Sequence, residues 1–289
     1  MFPGEINFLK LLEGIRNGFL NFLFETITML GEETVLVVLI AVIYFMFDKR
    51  LAHRLFFITV TSMSINNTVK NIAKVPRPFA DGKITTIREH TATGYSFPSG
   101  HTQTISTWST ALAIKFKKLP YIIFAAVATV LVAFSRLYLG VHYPSDVIVG
   151  ATLGVGLAFL LSYAFDKVQS LSLIYLGAIA LTTPFAVAFL IEGDPISDGF
   201  FKMYGMLIGA LLGVLFEKKF VNFGYDTPIW KKLIRVVLGI VGALLIKLLN
   251  FSDMVPVVQI SLLLDALRYG LMVFLVMGVL PLLFKKLNI

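Results

Sequence analysis

The sequence predicts an all-α protein, a polytopic bundle of membrane helices. Three observations carry that expectation. Hydrophobic residues make up 57% of the chain against 15% charged, mean hydropathy is +0.84, and long apolar runs recur between short basic or Gly/Pro-bearing connectors. A soluble domain is nearer a quarter charged, and in hydrocarbon only a helix or a closed barrel satisfies its own backbone. The chain has no cysteine, which excludes disulfides, zinc thiolates, iron–sulfur clusters and a thiol nucleophile. Its net charge of +8 lies between hydrophobic runs, where anionic lipid and topology account for it, so nucleic acid is not an expected partner.

Taken in order, residues 5–30 keep an apolar face but are interrupted by Lys10, Glu13, Arg16, Asn17, Asn21 and Glu25. An interfacial amphipathic helix is favoured there over a span, and residues 1–32 form an N-terminal segment. No cleavable signal order is evident. Spans are expected at residues 33–48, 51–72, 98–116, 119–137 and 142–165, making a core over 33–167. Further spans at 171–192, 198–216, 232–251 and 256–284 make up an additional region, 168–289, whose role the residues leave open. Gly205, Gly209 and Gly213, spaced by four, predict close helix packing. Asp265 and Arg268, three apart inside a span, predict an ion pair on one face, either a brace or a functional site.

Alternating the spans puts Lys49, Arg50, Arg54, Lys115, Lys117, Lys118, Lys167, Lys218, Lys219, Lys231, Lys232, Arg235, Lys285 and Lys286 on one side, fourteen basic residues. Lys74, Lys83, Arg88, Lys202 and Lys247, five, fall opposite. The positive-inside rule makes the first side cytoplasmic. His53 falls on that side and reads as an ordinary interfacial residue.

Three polar clusters break the apolar pattern, all expected on the other side. In KNIAKVPRP, Lys70 lies near a span end, and Pro76 and Pro78 stop the helix around Arg77. Two turns separate the cations by ~10 Å on a straight helix, so a bent end or long side chains must bring them together. In PSGH, Pro98 and Ser99 mark a helix start, with Ser99 as N-cap, Gly100 allowing close approach and His101 beside it; the free N–H groups there form an anion site. In SRLYLGVHYPSD, Arg136 closes a span and His142 opens the next, with Asp146 four residues on, a helical-face spacing that would fix the imidazole tautomer. Taken singly, these also read as snorkelling anchors, a plain capped helix and an Arg136–Asp146 brace. Together, three cations, a helix N-terminus and two histidines suit one multiply charged oxyanion and phosphoryl transfer. No carboxylate cluster for magnesium or calcium accompanies them, and two histidines lack a third zinc ligand, so no metal or other cofactor is expected.

The order K-x6-R-P, P-S-G-H and S-R-x5-H-x3-D resembles the three-part signature of the type-2 phosphatidic acid phosphatase superfamily, over roughly residues 30–167. The resemblance implies a six-helix core, His142 as the nucleophile forming a phosphohistidine, Asp146 as its orienting partner and His101 as the acid. It implies that Lys70, Arg77, Ser99, Gly100 and Arg136 hold the phosphate, and that vanadate binds and inhibits. The expectation is a metal-independent phosphatase in the plasma membrane, acting outside the cytoplasm on a lipid phosphate, with isoprenyl diphosphate favoured by the family's bacterial role. A phosphotransferase sharing the first half-reaction and a lipid transporter are the competing expectations. The loop from Phe79 to Phe97 is expected over the site, with Lys83 and Arg88 reaching the headgroup.

Overall fold

In the computed structural model, residues 4–250 and 254–287 are described, and among them every regular element is helical. The helices are α1 (Glu5–Gly14), α2 (Gly18–Thr28), α3 (Glu33–Met46), α4 (Lys49–Ala73), α5 (Gly100–Phe116), α6 (Leu119–Tyr138), α7 (Pro144–Lys167), α8 (Leu171–Glu192), α9 (Asp198–Phe216), α10 (Ile229–Leu248), α11 (Val258–Phe274) and α12 (Leu280–Leu287). Short π-helical stretches follow α9 and α11.

The protein is a multi-pass membrane protein. Five helical stretches among the described residues are long and apolar enough to cross a bilayer: 119–138, 144–167, 171–192, 195–221 and 258–287. A sixth arises if α2 with its 3₁₀ end and α3 count as one broken span. The nine spans expected from sequence are therefore too many by that measure. α3 has only 14 residues. α10 carries Lys231, Lys232, Arg235 and Lys247. α4 and α5 are too polar, yet their Thr59, Thr61, Ser62, Asn66, Thr102, Gln103, Thr104 and Ser106 are buried. Those side chains meet protein rather than lipid, so no apolar penalty applies to them.

The N-terminal segment also departs from expectation. Residues 5–30 make two helices, because Asn17 accepts from Leu20 N–H at 3.0 Å and caps α2, ending the first run.

Two compact units divide the chain. The first comprises residues 1–36 and 65–163. Its core is built where Leu9 and Leu12 of α1 meet Ile84, Leu137, Tyr143 and Val147, and where Leu20 and Phe24 of α2 pack on Tyr138, Leu139 and Val141. Ile27 joins Ile105, Ala128 and Val132 between α5 and α6. α7 lies close on α5: a Cβ at Gly150 would stand 2.7 Å from the Ser99 carbonyl, and one at Gly154 2.7 Å from that of Gln103.

The second unit comprises residues 37–64 and 164–289. There α9 and α11 touch through backbone, as the glycine spacing predicts: Cβ atoms at Gly205 and Gly209 would fall 1.9 and 2.1 Å from the carbonyls of Ala266 and Gly270. Arg268 pairs with Asp265 at 2.5 Å and reaches Asn250. His53 is buried rather than interfacial, its Nδ1 3.1 Å from the Tyr175 hydroxyl.

Candidate active site

The first unit gathers all three polar clusters around the ends of α4 and α6 and the starts of α5 and α7. α4 stops at Ala73, earlier than the prolines alone required, because Lys74 turns left-handed (φ 49°) and its N–H closes on the Lys70 carbonyl at 2.9 Å. Pro76 and Pro78 keep the helix from resuming. That bend closes the gap between the two cations. Lys70 Nζ donates to the carbonyls of Tyr95 (2.5 Å) and Ser96 (3.3 Å). Arg77 donates from Nε to Gly94 (3.0 Å), from Nη2 to Thr93 (2.6 Å) and from Nη1 to Val141 (3.0 Å). Burial lowers the Arg77 guanidinium to about 10, against the opposing pull of the Asp146 carboxylate, so it is cationic at neutral pH.

Ser99 occupies the N-cap position of α5, but its hydroxyl does not cap; it lies 3.0 Å from Thr102 Oγ1. Its backbone N–H instead donates to the Asp146 carbonyl at 3.0 Å, tying the two helix starts together. Asn66, on α4, holds this turn by donating to the Pro98 carbonyl (3.4 Å) and to Gln103 Oε1 (2.8 Å). Gly100 opens α5 and His101 follows, with Nε2 buried and without a hydrogen-bond partner.

His142 and Asp146 meet, though not as neighbours on one helical face. α7 begins at Pro144, so His142 precedes the helix and Asp146 is its third residue. Asp146 Oδ2 reaches back to the Tyr143 N–H at 2.8 Å, the carboxylate half of a capping box, with Pro144 at the first helical position. The same oxygen lies 3.2 Å from His142 Nδ1 and accepts the Ser96 hydroxyl at 2.5 Å. Arg77 Nη1 stands 3.2 Å from His142 Nε2. A guanidinium only donates, so Nε2 holds the lone pair and Nδ1 carries the proton toward Asp146.

Arg136 is fully buried, and its Nη1 donates to Thr28 Oγ1 at 3.0 Å. Of the expected headgroup residues, Lys83 pairs with Asp81 on the surface at 3.1 Å, and Arg88 pairs with Glu32 at 2.7 Å. Sequence reasoning missed Ser96, Asn66, Gln103 and Thr28. Asn66 and Gln103 carried a signal as amides inside apolar runs, whereas Ser96 and Thr28 had none.

Comparison with known proteins places the chain in a family. The PAP2 superfamily model matches residues 51–170, which include the three polar clusters but not Asp265 and Arg268, and a model described as the PAP2 superfamily phosphatase transmembrane extension matches residues 201–289. Undecaprenyl-diphosphatase of Sulfolobus acidocaldarius is 31% identical, over 54% of this chain and 76% of its own. Phosphatidylglycerophosphatase B of Bacillus subtilis is 34% identical, over 54% and 80%. The crystal structure of a transmembrane PAP2-type phosphatidylglycerolphosphate phosphatase from Bacillus subtilis covers 57% of this chain and 85% of its own, at 30% identity and a TM-score of 0.49. The chain belongs to the PAP2 superfamily and is a hydrolase of phosphoric esters.

Proposed function

We propose that the protein is a membrane lipid phosphatase that works through a phosphohistidine, without a metal, on the extracytoplasmic face of the plasma membrane. The observation that carries the mechanism is the state of His142: Nδ1–H held by Asp146 at 3.2 Å and the Nε2 lone pair beside the Arg77 guanidinium. In the first step Nε2 attacks phosphorus, the N–P bond forms, and the P–O bond to the lipid breaks as His101 gives its proton to the departing oxygen. Asp146 stabilises the imidazolium that results. Water then attacks phosphorus, His101 takes its proton, and the N–P bond breaks to release phosphate. Lys70, Arg77, Arg136, the Ser99 hydroxyl and the backbone N–H of Gly100 neutralise charge on the equatorial oxygens; the Ser99 N–H, expected from sequence to join them, is instead held by the Asp146 carbonyl.

The substrate reading is a lipid phosphate or diphosphate monoester end. The relatives named above act, by their names, on an isoprenyl diphosphate and on phosphatidylglycerophosphate, so both headgroups belong in the test. Catalysis rests in this reading on residues 33–167, with 168–289 as additional membrane helices. Purified protein in chelator is expected to release phosphate from such lipids, to be inhibited by vanadate, and to lose turnover in His142→Ala and His101→Ala while remaining monodisperse in detergent. Substantial hydrolysis by His142→Ala would end the covalent mechanism. Transfer of phosphate to an added alcohol in place of water would make the enzyme a phosphotransferase.

A further inference from the structure

The Arg136 guanidinium takes its hydrogen bond from outside the residues matched by the superfamily model. Nη1 donates to Thr28 Oγ1 at 3.0 Å, whereas Nε and Nη2 are buried and make no hydrogen bond. Those two nitrogens form the side-on edge of the planar fork, whose parallel N–H bonds match two oxygens of one oxyanion. Thr28 is the last residue of α2, fully buried. Four further contacts fix its segment against the site. Arg88 donates from Nη1 to the Glu25 carbonyl (2.8 Å) and from Nη2 to Glu32 Oε1 (2.7 Å), holding the chain on both sides of Thr28. Gly31 lies so close to His101 that a Cβ would stand 2.7 Å from the His101 carbonyl oxygen. Ile27 packs on Ile105, Ala128 and Val132.

We propose that Thr28 is a positioning residue for catalysis: its hydroxyl sets the plane of the Arg136 guanidinium so that the Nε/Nη2 edge faces the phosphate, and the Arg88–Glu32 pair keeps Thr28 in register. Because the guanidinium is rigid and planar, a hydrogen bond at Nη1 restricts how the rest of the fork can turn. An unpaired edge in a buried site is costly until an oxyanion arrives, which directs binding energy to the phosphate. The inference rests on the reading of Arg136 as a phosphate ligand.

Thr28→Val keeps the shape and removes the hydroxyl; Thr28→Ser keeps the hydroxyl. With a lipid phosphate that the wild type hydrolyses, and with orthovanadate as the site probe, Thr28→Val is expected to lose about tenfold in kcat/KM and in vanadate affinity. Thr28→Ser is expected within about twofold of wild type, and Thr28→Val is expected to add less than about twofold in an Arg136→Lys background. A Thr28→Val enzyme equal to wild type in both readouts, a Thr28→Ser enzyme as impaired as Thr28→Val, or a full tenfold loss repeated in the Arg136→Lys background would each overturn the assignment. Wild-type activity and vanadate affinity in Arg136→Lys alone would instead overturn the phosphate-ligand reading, and the inference with it.

Discussion

Ser96 stands two residues before Pro98, and its hydroxyl shares Asp146 Oδ2 with the Tyr143 N–H and His142 Nδ1, at 2.5, 2.8 and 3.2 Å. The shortest of the three bonds belongs to Ser96, so the loop and the start of α7 fix the carboxylate, and the imidazole is aligned against a base that is already held. Ser96→Ala is expected to lower kcat/KM about tenfold, the worth of one hydrogen bond to a charged group, with little change in KM. The pH dependence of kcat/KM is expected to be bell-shaped in both enzymes, falling at low pH as His142 takes a proton and falling again as pH rises and His101 loses one. A flat profile from about pH 5 to about pH 9, outside the range where either carboxylates or Arg77 dominate titration, would contradict the two-histidine assignment.

Among the elements, α9 and α11 are joined by a seam with no room for a methyl group, since the Cβ of an alanine at 209 would lie 2.1 Å from the Gly270 carbonyl. Gly209→Ala is expected to destabilise the protein by about 1–3 kcal/mol, the usual cost of overpacking, seen as a lowered Tm in detergent. Gly156→Ala is the matched control, because nothing lies within 4 Å of a Cβ there, and Tm should hold or rise slightly. Equal Tm for both variants would remove the packing argument. This seam was legible as a four-residue glycine period, and the apolar runs of α6 to α9 and α11 were legible as helices. The break after α1 was less so, although Asn17 and Gly18 together form a turn signal. α4 and α5 read as spans on helical pattern, but their buried hydroxyls and amides make them too polar to pass as lipid-facing. In the site, ionisable groups stood out because apolar sequence surrounds them. Thr28 and Ser96 did not, since a hydroxyl is common everywhere and their partners lie 108 and 50 residues away in the chain.

For the whole molecule, the proposed orientation rests on the distribution of basic residues. In the second unit Lys49, Arg235 and Lys285 converge on the 217–224 segment, donating to Glu217 Oε1 (2.8 Å) and to the carbonyls of Phe223 (2.7 Å), Gly224 (3.0 Å) and Val221 (2.9 Å). All three belong to the fourteen-residue set assigned to the cytoplasm by sequence, so part of that set is held by hydrogen bonds within the protein. A chain without native cysteine makes the orientation directly measurable. In intact cells Lys83→Cys is expected to react with a membrane-impermeant maleimide and Lys117→Cys is not; both side chains are exposed. Reversed labelling would leave the chemistry in place and move the substrate pool to the inner leaflet.

The loop carbonyls of residues 93–96 give the site a resident competitor. All three nitrogens of Arg77 and the ammonium of Lys70 already hold backbone oxygens, although a guanidinium has five N–H donors and an ammonium three, so each keeps donors beyond those bonds. If these two cations hold the phosphate, as proposed above, the ligand shares them with the protein's own carbonyls, and its affinity is a difference between two sets of hydrogen bonds. Inorganic phosphate is then expected to inhibit only weakly, a consequence measurable as its Ki against lipid phosphate hydrolysis.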